Sequence, residues 1–138
     1  MDRKQIIAKL NSYNENTLME TLDIEFVDFG EDYLVAKMPV NSKVHQPYGI
    51  LHGGATIALA ETVGSSASSF FLNDSTKIIK GLELSVNHVK SKREGFVFAT
   101  ARPIHRGRTT HLWEVKVTDE EDNLISICKI TNIVLDKR

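Results

Sequence analysis

One stretch of the chain combines residues suited to carbonyl chemistry. His52-Gly53-Gly54 precedes an apolar segment whose only charge before Phe71 is Glu61. If this segment is a helix, the glycine pair lies at its N-terminus, where unpaired N–H groups carry partial positive charge and a ligand can approach closely. Such groups can bind a carbonyl oxygen and stabilise the negative charge that develops on it. The alternative is that the glycines only allow a tight turn.

Glu61 is the candidate that would act beside those N–H groups. A single acid on an apolar helix is expected to lie away from bulk water, where it could act as a nucleophile or as a general base. It could instead pair with a buried Arg or Lys, or lie at a subunit interface. Ser65 follows at i+4 on the same face and would orient the carboxylate, hold a water, or only fill space. His52 would donate to a carbonyl or fix the loop.

Several other kinds of site are not indicated. The five histidines and the single cysteine, Cys128, show no metal-ligand spacing with Glu61. The nucleophile elbow G-x-S-x-G, the dinucleotide motif G-x-G-x-x-G and the P-loop do not occur in the chain. We therefore expect neither a metal nor a cofactor.

Basic residues cluster in two turns of the second half of the chain. The clusters are His88, Lys90, Lys92 and Arg93, then Arg102, His105, Arg106 and Arg108. Both follow strand patterns, so they could meet at one end of a sheet and bind phosphate groups. The alternative is a set of solvated turn charges.

The elements that position these residues follow from periodicity. Residues 54–71 predict a long helix that ends at Asn73-Asp74-Ser75, and residues 1–14 a short amphipathic one. Alternation and turn residues predict five or six antiparallel strands, near 22–30, 33–38, 76–89, 96–101, 110–118 and 124–135. Within the third strand we expect Ile78, Leu82, Leu84 and Val86 on one face, and we expect Pro103 and Gly107 to flank a turn.

These elements define the fold class as α+β. A single helix apolar on nearly every side can be buried against one antiparallel sheet only if the sheet curls around it. Small residues on the helix, including Ala60, Gly64 and Ala67, would allow the close approach that this arrangement needs.

Composition sets wider bounds. The 138 residues are 41% hydrophobic and carry 17 basic against 18 acidic side chains. We expect one domain over residues 1–138, with neither nucleic acid nor a membrane as a partner. A lone cysteine and the absence of a signal-peptide pattern suit a cytoplasmic protein.

The motifs together resemble the hotdog-fold acyl-CoA thioesterases of the PaaI-like group. The chain is particularly similar to the branch that hydrolyses aromatic acyl-CoA esters such as 4-hydroxybenzoyl-CoA and 1,4-dihydroxy-2-naphthoyl-CoA. The matching segments are 46–54, 59–61, 64–65, 87–88, 105–109 and the following strand with Trp113. The resemblance spans residues 22–131 and implies a long helix wrapped by a curved antiparallel sheet, with two protomers pairing their sheets edge to edge.

The resemblance also implies roles for individual residues. Glu61 matches the catalytic carboxylate, and the N–H group of Gly53 matches the oxyanion donor, contributed by the other subunit. Gln46 and His52 match residues that help to bind the thioester carbonyl, and Ser65 matches a polar helper.

Substrate contacts follow from the same resemblance, less directly. Residues around the CoA moiety and the acyl group would be Gly54, Ser66, His88, Arg93, His105 and Arg108, with Ser66, Ala67 and Ser68 shaping the acyl pocket. The implied protein is a homo-oligomer, a dimer or a tetramer, that releases free acid and CoA.

Two other functions stay open from the sequence. A non-catalytic acyl-CoA-binding protein could use the same fold, with Glu61 only satisfying an interface partner. A dehydratase is a further possibility, although the His-Phe-Pro-Gly run of that group does not occur in the chain.

Overall fold

A computed structural model describes residues 1–138. The helices are α1 (Arg3–Ser12), α2 (Leu18–Thr21) and α3 (Gly53–Leu72), and a single 3₁₀ turn covers Ser42–Val44. The strands are β1 (Glu25–Phe29), β2 (Leu34–Val40), β3 (Lys77–His88), β4 (Gly95–Arg106), β5 (Thr110–Thr118) and β6 (Leu124–Asp136). None of the helices has both the length and the hydropathy that a membrane span requires.

The strands form one antiparallel sheet in the order β1-β2-β4-β5-β6-β3. The long helix α3 packs against β2 to β6. It also meets β1 where the rings of Phe70 and Phe29 lie with centroids 5.3 Å apart. The prediction of one long helix against an antiparallel sheet of five or six strands is confirmed, with six strands.

Small residues bring α3 close to the sheet, as predicted. Ala60, Gly64 and Ala67 are fully buried. A Cβ atom placed on Gly64 would lie 2.5 Å from Cγ2 of Ile130, which is closer than carbon atoms can approach. Any larger residue at position 64 would therefore push the helix away from β6.

A β-bulge overturns the predicted face of β3. The pairing with β6 shifts between Gly81 and Glu83, so the alternation of side chains changes there. Leu84 and Val86 pack against the core, whereas Ile78 and Leu82 are 40% and 59% exposed. The prediction that these four residues share a face is wrong because simple alternation does not anticipate the inserted residue.

Two further boundaries differ from the predictions. Pro103 lies inside β4, at a bulge between Pro103 and His105, and not in a turn, so the strand continues to Arg106. The first strand begins at Glu25 and not at Leu22, because Leu22 is the C-cap residue of the short helix α2.

The N-terminal helix lies along the outer edge of β1. The side-chain amide of Asn11 donates to the carbonyl of Phe26 at 3.0 Å and accepts from its N–H at 2.7 Å, as a neighbouring strand would. Asn14 donates to the carbonyl of Ile24 at 3.0 Å. This edge is therefore covered, whereas the outer edge of β3 has no partner within the chain.

Candidate active site

A structured loop leads into the N-terminus of α3. Gly49 adopts a left-handed conformation (φ +74°), which permits the tight turn that begins at Gln46. His52 is the N-cap residue of α3, and its Nδ1 atom accepts the N–H of Gly54 at 2.7 Å. Sequence reasoning placed Gly54 among the substrate contacts, but its N–H group is already occupied within the loop.

The backbone N–H of Gly53 is the donor that remains free at this helix end. It makes no hydrogen bond within the chain. His88 lies beside it: a Cβ atom placed on Gly53 would be 2.7 Å from Nε2 of His88. The other ring nitrogen, Nδ1, is hydrogen-bonded to Oγ of Ser126 at 2.7 Å, which fixes the imidazole in this position.

A cavity of about 330 Å³ opens at Gly53. Its walls include Gln46, His88, Lys90 and Lys92. The side-chain oxygen of Gln46 accepts the N–H of Tyr48, so the NH₂ group of Gln46 remains available as a donor. The cavity is therefore lined by two unused neutral donors, the N–H of Gly53 and the NH₂ group of Gln46, and by two lysine side chains.

Glu61 lies away from this cavity. It is eight residues beyond Gly53 on α3, which separates the two positions by about 12 Å along the helix axis. Its Oε1 atom lies 3.7 Å from the position that a Cβ atom on Gly81 would occupy. Glu61 is exposed in the single chain. The expectation that its carboxylate is shielded from water is wrong for one protomer because Glu61 lies beside β3, the edge strand that no other element covers.

The serines that follow Glu61 point in different directions. Ser65 and Ser66 line a second cavity, of about 790 Å³, between α3 and the N-terminal segment. Ala67 and Ser68 are fully buried under the sheet. Ala67 and Ser68 therefore do not line an acyl pocket at Ser65 and Ser66, because they lie on the opposite side of the helix.

Sequence reasoning did not find the buried polar network centred on Ser68. Its Oγ accepts Nε1–H of Trp113 and Nδ2–H of Asn132, both at 2.8 Å. Because these partners can only donate, the Ser68 proton goes to Nδ1 of His111, also at 2.8 Å. The one sequence feature that could have indicated this network is Asn132, a polar residue within the inward-facing row of Cys128, Ile130 and Val134 on β6.

The network holds His111 in its neutral form. Burial lowers the pKa of His111 below its ordinary value of 6.5, and the nearby charge of Arg106 lowers it further.

Two other kinds of reactive group are excluded by the structure. Burial raises the pKa of the Cys128 thiol to about 11, so this cysteine is no nucleophile near neutral pH. No group of three His, Cys, Asp or Glu side chains is placed to hold a metal ion.

The two basic turns lie at opposite ends of the sheet. The first follows β3 and is near the N-terminus of α3, where the carbonyls of Lys92 and Arg93 accept from Leu51 and His45. The second, between β4 and β5, lies at the other end, where Arg106 is placed over the ring of Phe71 near the end of α3. The possibility that the two turns meet at one end of the sheet is therefore not realised within one chain, because antiparallel strands carry them to different ends.

Comparison with known proteins agrees with the motifs. The sequence model described as Thioesterase superfamily matches residues 48–126. The chain is 39% identical to the 1,4-dihydroxy-2-naphthoyl-CoA hydrolase of Escherichia coli over 133 residues, which is 96% of this chain and 97% of that protein.

Solved structures give the same result. A thioesterase of Haemophilus influenzae superposes with a TM-score of 0.91 at 39% identity, covering 94% of this chain and 90% of the other. A thioesterase variant of Pseudomonas aeruginosa superposes with a TM-score of 0.92 at 39% identity, covering 95% and 94%. The protein therefore belongs to the thioesterase superfamily and is a thioester hydrolase with the hotdog fold.

Proposed function

We propose that this protein hydrolyses aromatic acyl-CoA thioesters to free acid and CoA, in a site assembled from two copies of the chain. Glu61 of one copy supplies the catalytic carboxylate. Gly53 and Gln46 of the other supply the donors for the thioester carbonyl. Water is the only co-substrate that this reaction needs.

The separation of Glu61 from Gly53 carries the proposal of a shared site. Both residues have features of catalytic groups, yet about 12 Å of helix keeps them apart within one chain. A carboxylate that attacks a carbonyl must lie within about 3.5 Å of its carbon while the oxygen meets its donors. A second copy can satisfy both requirements.

The open edge of β3 is where we place the second copy. Glu61 lies beside Gly81, near the middle of this 12-residue strand. Antiparallel pairing of two β3 edges would place the Lys77 end of one strand beside the His88 end of its partner. The two basic turns, which lie at opposite ends of one chain, would then approach each other across the pair.

In the proposed reaction, the N–H of Gly53 and the NH₂ group of Gln46 bind the carbonyl oxygen and stabilise its negative charge. Glu61 either attacks the carbonyl carbon to form a mixed anhydride that water then hydrolyses, or removes a proton from the attacking water. In both routes the C–S bond breaks and CoA leaves as a thiolate that takes up a proton. His52 supports the donors by capping the helix, and Ser65 orients the carboxylate.

The CoA moiety would lie along the basic side of the site. We assign His88 and Arg93 to its pantetheine and nucleotide from one copy, with His105 and Arg108 from the other. Lys90 lines the cavity at Gly53 and would add positive charge for the phosphates, whereas Lys92 in the same wall is already paired with Glu120. The aromatic acyl class is supported by the Escherichia coli relative, a 1,4-dihydroxy-2-naphthoyl-CoA hydrolase.

Thiol release from a panel of acyl-CoA esters tests this function. The panel would set benzoyl, hydroxybenzoyl and hydroxynaphthoyl esters beside butyryl and octanoyl esters. We expect aromatic esters to be favoured and Glu61→Ala to lower turnover at least about 100-fold. Glu121→Ala is the matched control, because Glu121 is an exposed acid in the β5–β6 turn whose side chain makes no hydrogen bond or ion pair.

Two results would overturn the proposal. Glu61→Ala with unchanged turnover would remove the assigned carboxylate. A clear preference of the wild-type protein for aliphatic esters would remove the substrate class. A single turnover in ¹⁸O-labelled water then separates the two routes, because only the anhydride route can leave the label in Glu61.

A further inference from the structure

We propose that the N-terminal helix α1 forms the outer wall of the acyl pocket and so limits the size of the acyl group. The inference rests on the proposed function, because it assigns a place to the acyl part of the same substrate. The cavity concerned has a volume of about 790 Å³ and lies between α1 and the second half of α3.

Two independent elements place this cavity next to Glu61. On α3 its lining begins at Ser65, one helical turn and about 6 Å beyond Glu61. On β3 its lining includes Ile79, two residues from Gly81, which is beside the Glu61 carboxylate. An acyl group whose carbonyl carbon is held at Glu61 would therefore extend into the cavity.

The walls suit an aromatic acyl group. Apolar side chains from α1, β1 and the end of α3 contribute to the lining, namely Ile6, Leu10, Phe26 and Phe70. Ser65, Ser66 and Ser69 of α3 add hydroxyl groups. A ring can pack on the apolar side chains while its substituents reach hydrogen-bonding partners.

One buried polar atom in the wall of the cavity has no hydrogen-bond partner within the chain. Asn14 lines the cavity and is only 7% exposed, and its Oδ1 atom accepts no hydrogen bond. Lys9 and Lys137 also line the cavity, and no acidic residue does. A hydroxyl substituent on the acyl group could donate to the amide oxygen and accept from an ammonium group.

The attachment of α1 keeps the cavity open. The helix has no fully buried residue, and polar contacts hold it to β1. Besides the two Asn contacts along this edge, Arg3 donates to the carbonyl of Phe29 at 2.9 Å and lies over its ring. Since α1 is fixed to the sheet edge and not packed onto α3, the space between the two helices remains. The helix lies outside residues 48–126, the segment that matches the superfamily model.

Filling the cavity from α1 tests the inference. Ile6→Trp places a large ring in the cavity, whereas Ile7→Trp changes the adjacent residue of α1, which does not line it. We expect Ile6→Trp to lower the ratio of kcat/KM for hydroxynaphthoyl-CoA to that for butyryl-CoA at least about tenfold. Ile7→Trp should keep the wild-type ratio.

An unchanged ratio in Ile6→Trp, or an equal fall in both variants, would overturn the inference. If Ile6→Trp does not fold, Ile6→Ala gives the opposite test, since a wider cavity should raise the ratio. Calorimetric binding of free hydroxynaphthoate to wild type and Ile6→Trp gives a readout that needs no turnover. Absence of thiol release with intact, Ile6-dependent binding would reject the proposed function alone, and turnover without any Ile6 dependence would reject this inference alone.

Discussion

The imidazole of His88 occupies the space that a side chain on Gly53 would need. A Cβ atom on Gly53 would lie 2.7 Å from Nε2 of His88, a distance that folded proteins do not show. Because Ser126 holds the other ring nitrogen, the imidazole cannot move away freely. Position 53 therefore accepts only glycine while the His88 imidazole keeps this place.

Gly53→Ala should consequently lower both stability and turnover. We expect the free energy of unfolding to fall by about 1–3 kcal/mol, as for other overpacked sites. The double variant Gly53→Ala/His88→Ala should recover most of that loss, because it removes the clash. Thermal unfolding of the wild type, Gly53→Ala, His88→Ala and the double variant measures this, and strictly additive losses would contradict the contact.

Mixing two inactive variants tests the shared site. Gln46→Ala and Glu61→Ala affect different halves of it, so a mixed pair contains one intact site. Random reassortment should restore about a quarter of wild-type thiol release, because half of the pairs are mixed. Each variant alone under the same treatment is the control. Mixed pairs seen by native mass spectrometry without restored activity would place Glu61 and Gln46 in the same protomer's site.

Ser68→Ala should destabilise the protein more than any other serine change on α3. Trp113, His111 and Asn132 would each lose a buried partner, and we expect a loss of about 3 kcal/mol. Ser66→Ala on the same helix makes a suitable comparison, since Ser66 forms no side-chain hydrogen bond, and should change stability by less than about 0.5 kcal/mol. Denaturant unfolding gives both values, and equal losses would argue against the network.

His111 should make stability depend on pH. Burial lowers its pKa in the folded protein below 6.5, so the unfolded chain binds the proton more readily. The stabilisation is complete above pH 6.5 and is lost as the pH falls through the lowered pKa of the folded state. His111→Gln should flatten this part of the pH profile, and His45→Gln, a change at a histidine near the other end of the sheet, should leave it as in wild type. Unfolding curves measured from pH 5 to 8 would show the difference.

Asn73→Gly should stabilise the end of α3. Asn73 is the C-cap residue and adopts a left-handed conformation with φ 47°. Glycine enters this region without the steric cost of a Cβ atom, so we expect a gain of up to about 1 kcal/mol. Asn73→Val should instead destabilise the protein. Melting temperatures of the two variants test the assignment, and a lower value for the glycine variant would contradict it.

The elements were largely predictable because they follow from short-range patterns. The α3 helix was placed within one residue at each end, since an unbroken apolar segment lies between Gly53 and the Asn73 turn. Local geometry that depends on neighbouring strands could not be predicted from the sequence. The bulges at Gly81 and Pro103 arise from pairing across the sheet. Glycine and proline are also common where strands end, so the residue types do not distinguish a bulge from a strand end.

The candidate site was predictable in its residue types and less so in its arrangement. Gly53, Gln46 and His88 do lie together at one cavity. The exposure of Glu61 could not be inferred, because a helix with apolar residues on most sides appears fully enclosed until the position of the sheet edge is known. The Ser68 network was hidden for a related reason: a serine among other small residues does not show which partners it meets.

Side chains of the N-terminal segment cover one edge of the sheet, and this limits where a strand of another chain can add to it. Asn11 and Asn14 already use the backbone groups that a further strand would need at β1. Addition of strands can therefore proceed only through β3, and a pair joined there has no free edge left. If two chains pair through β3, as proposed, assembly through the sheet would stop at that pair, and the covered β1 edge would protect it from fibre formation.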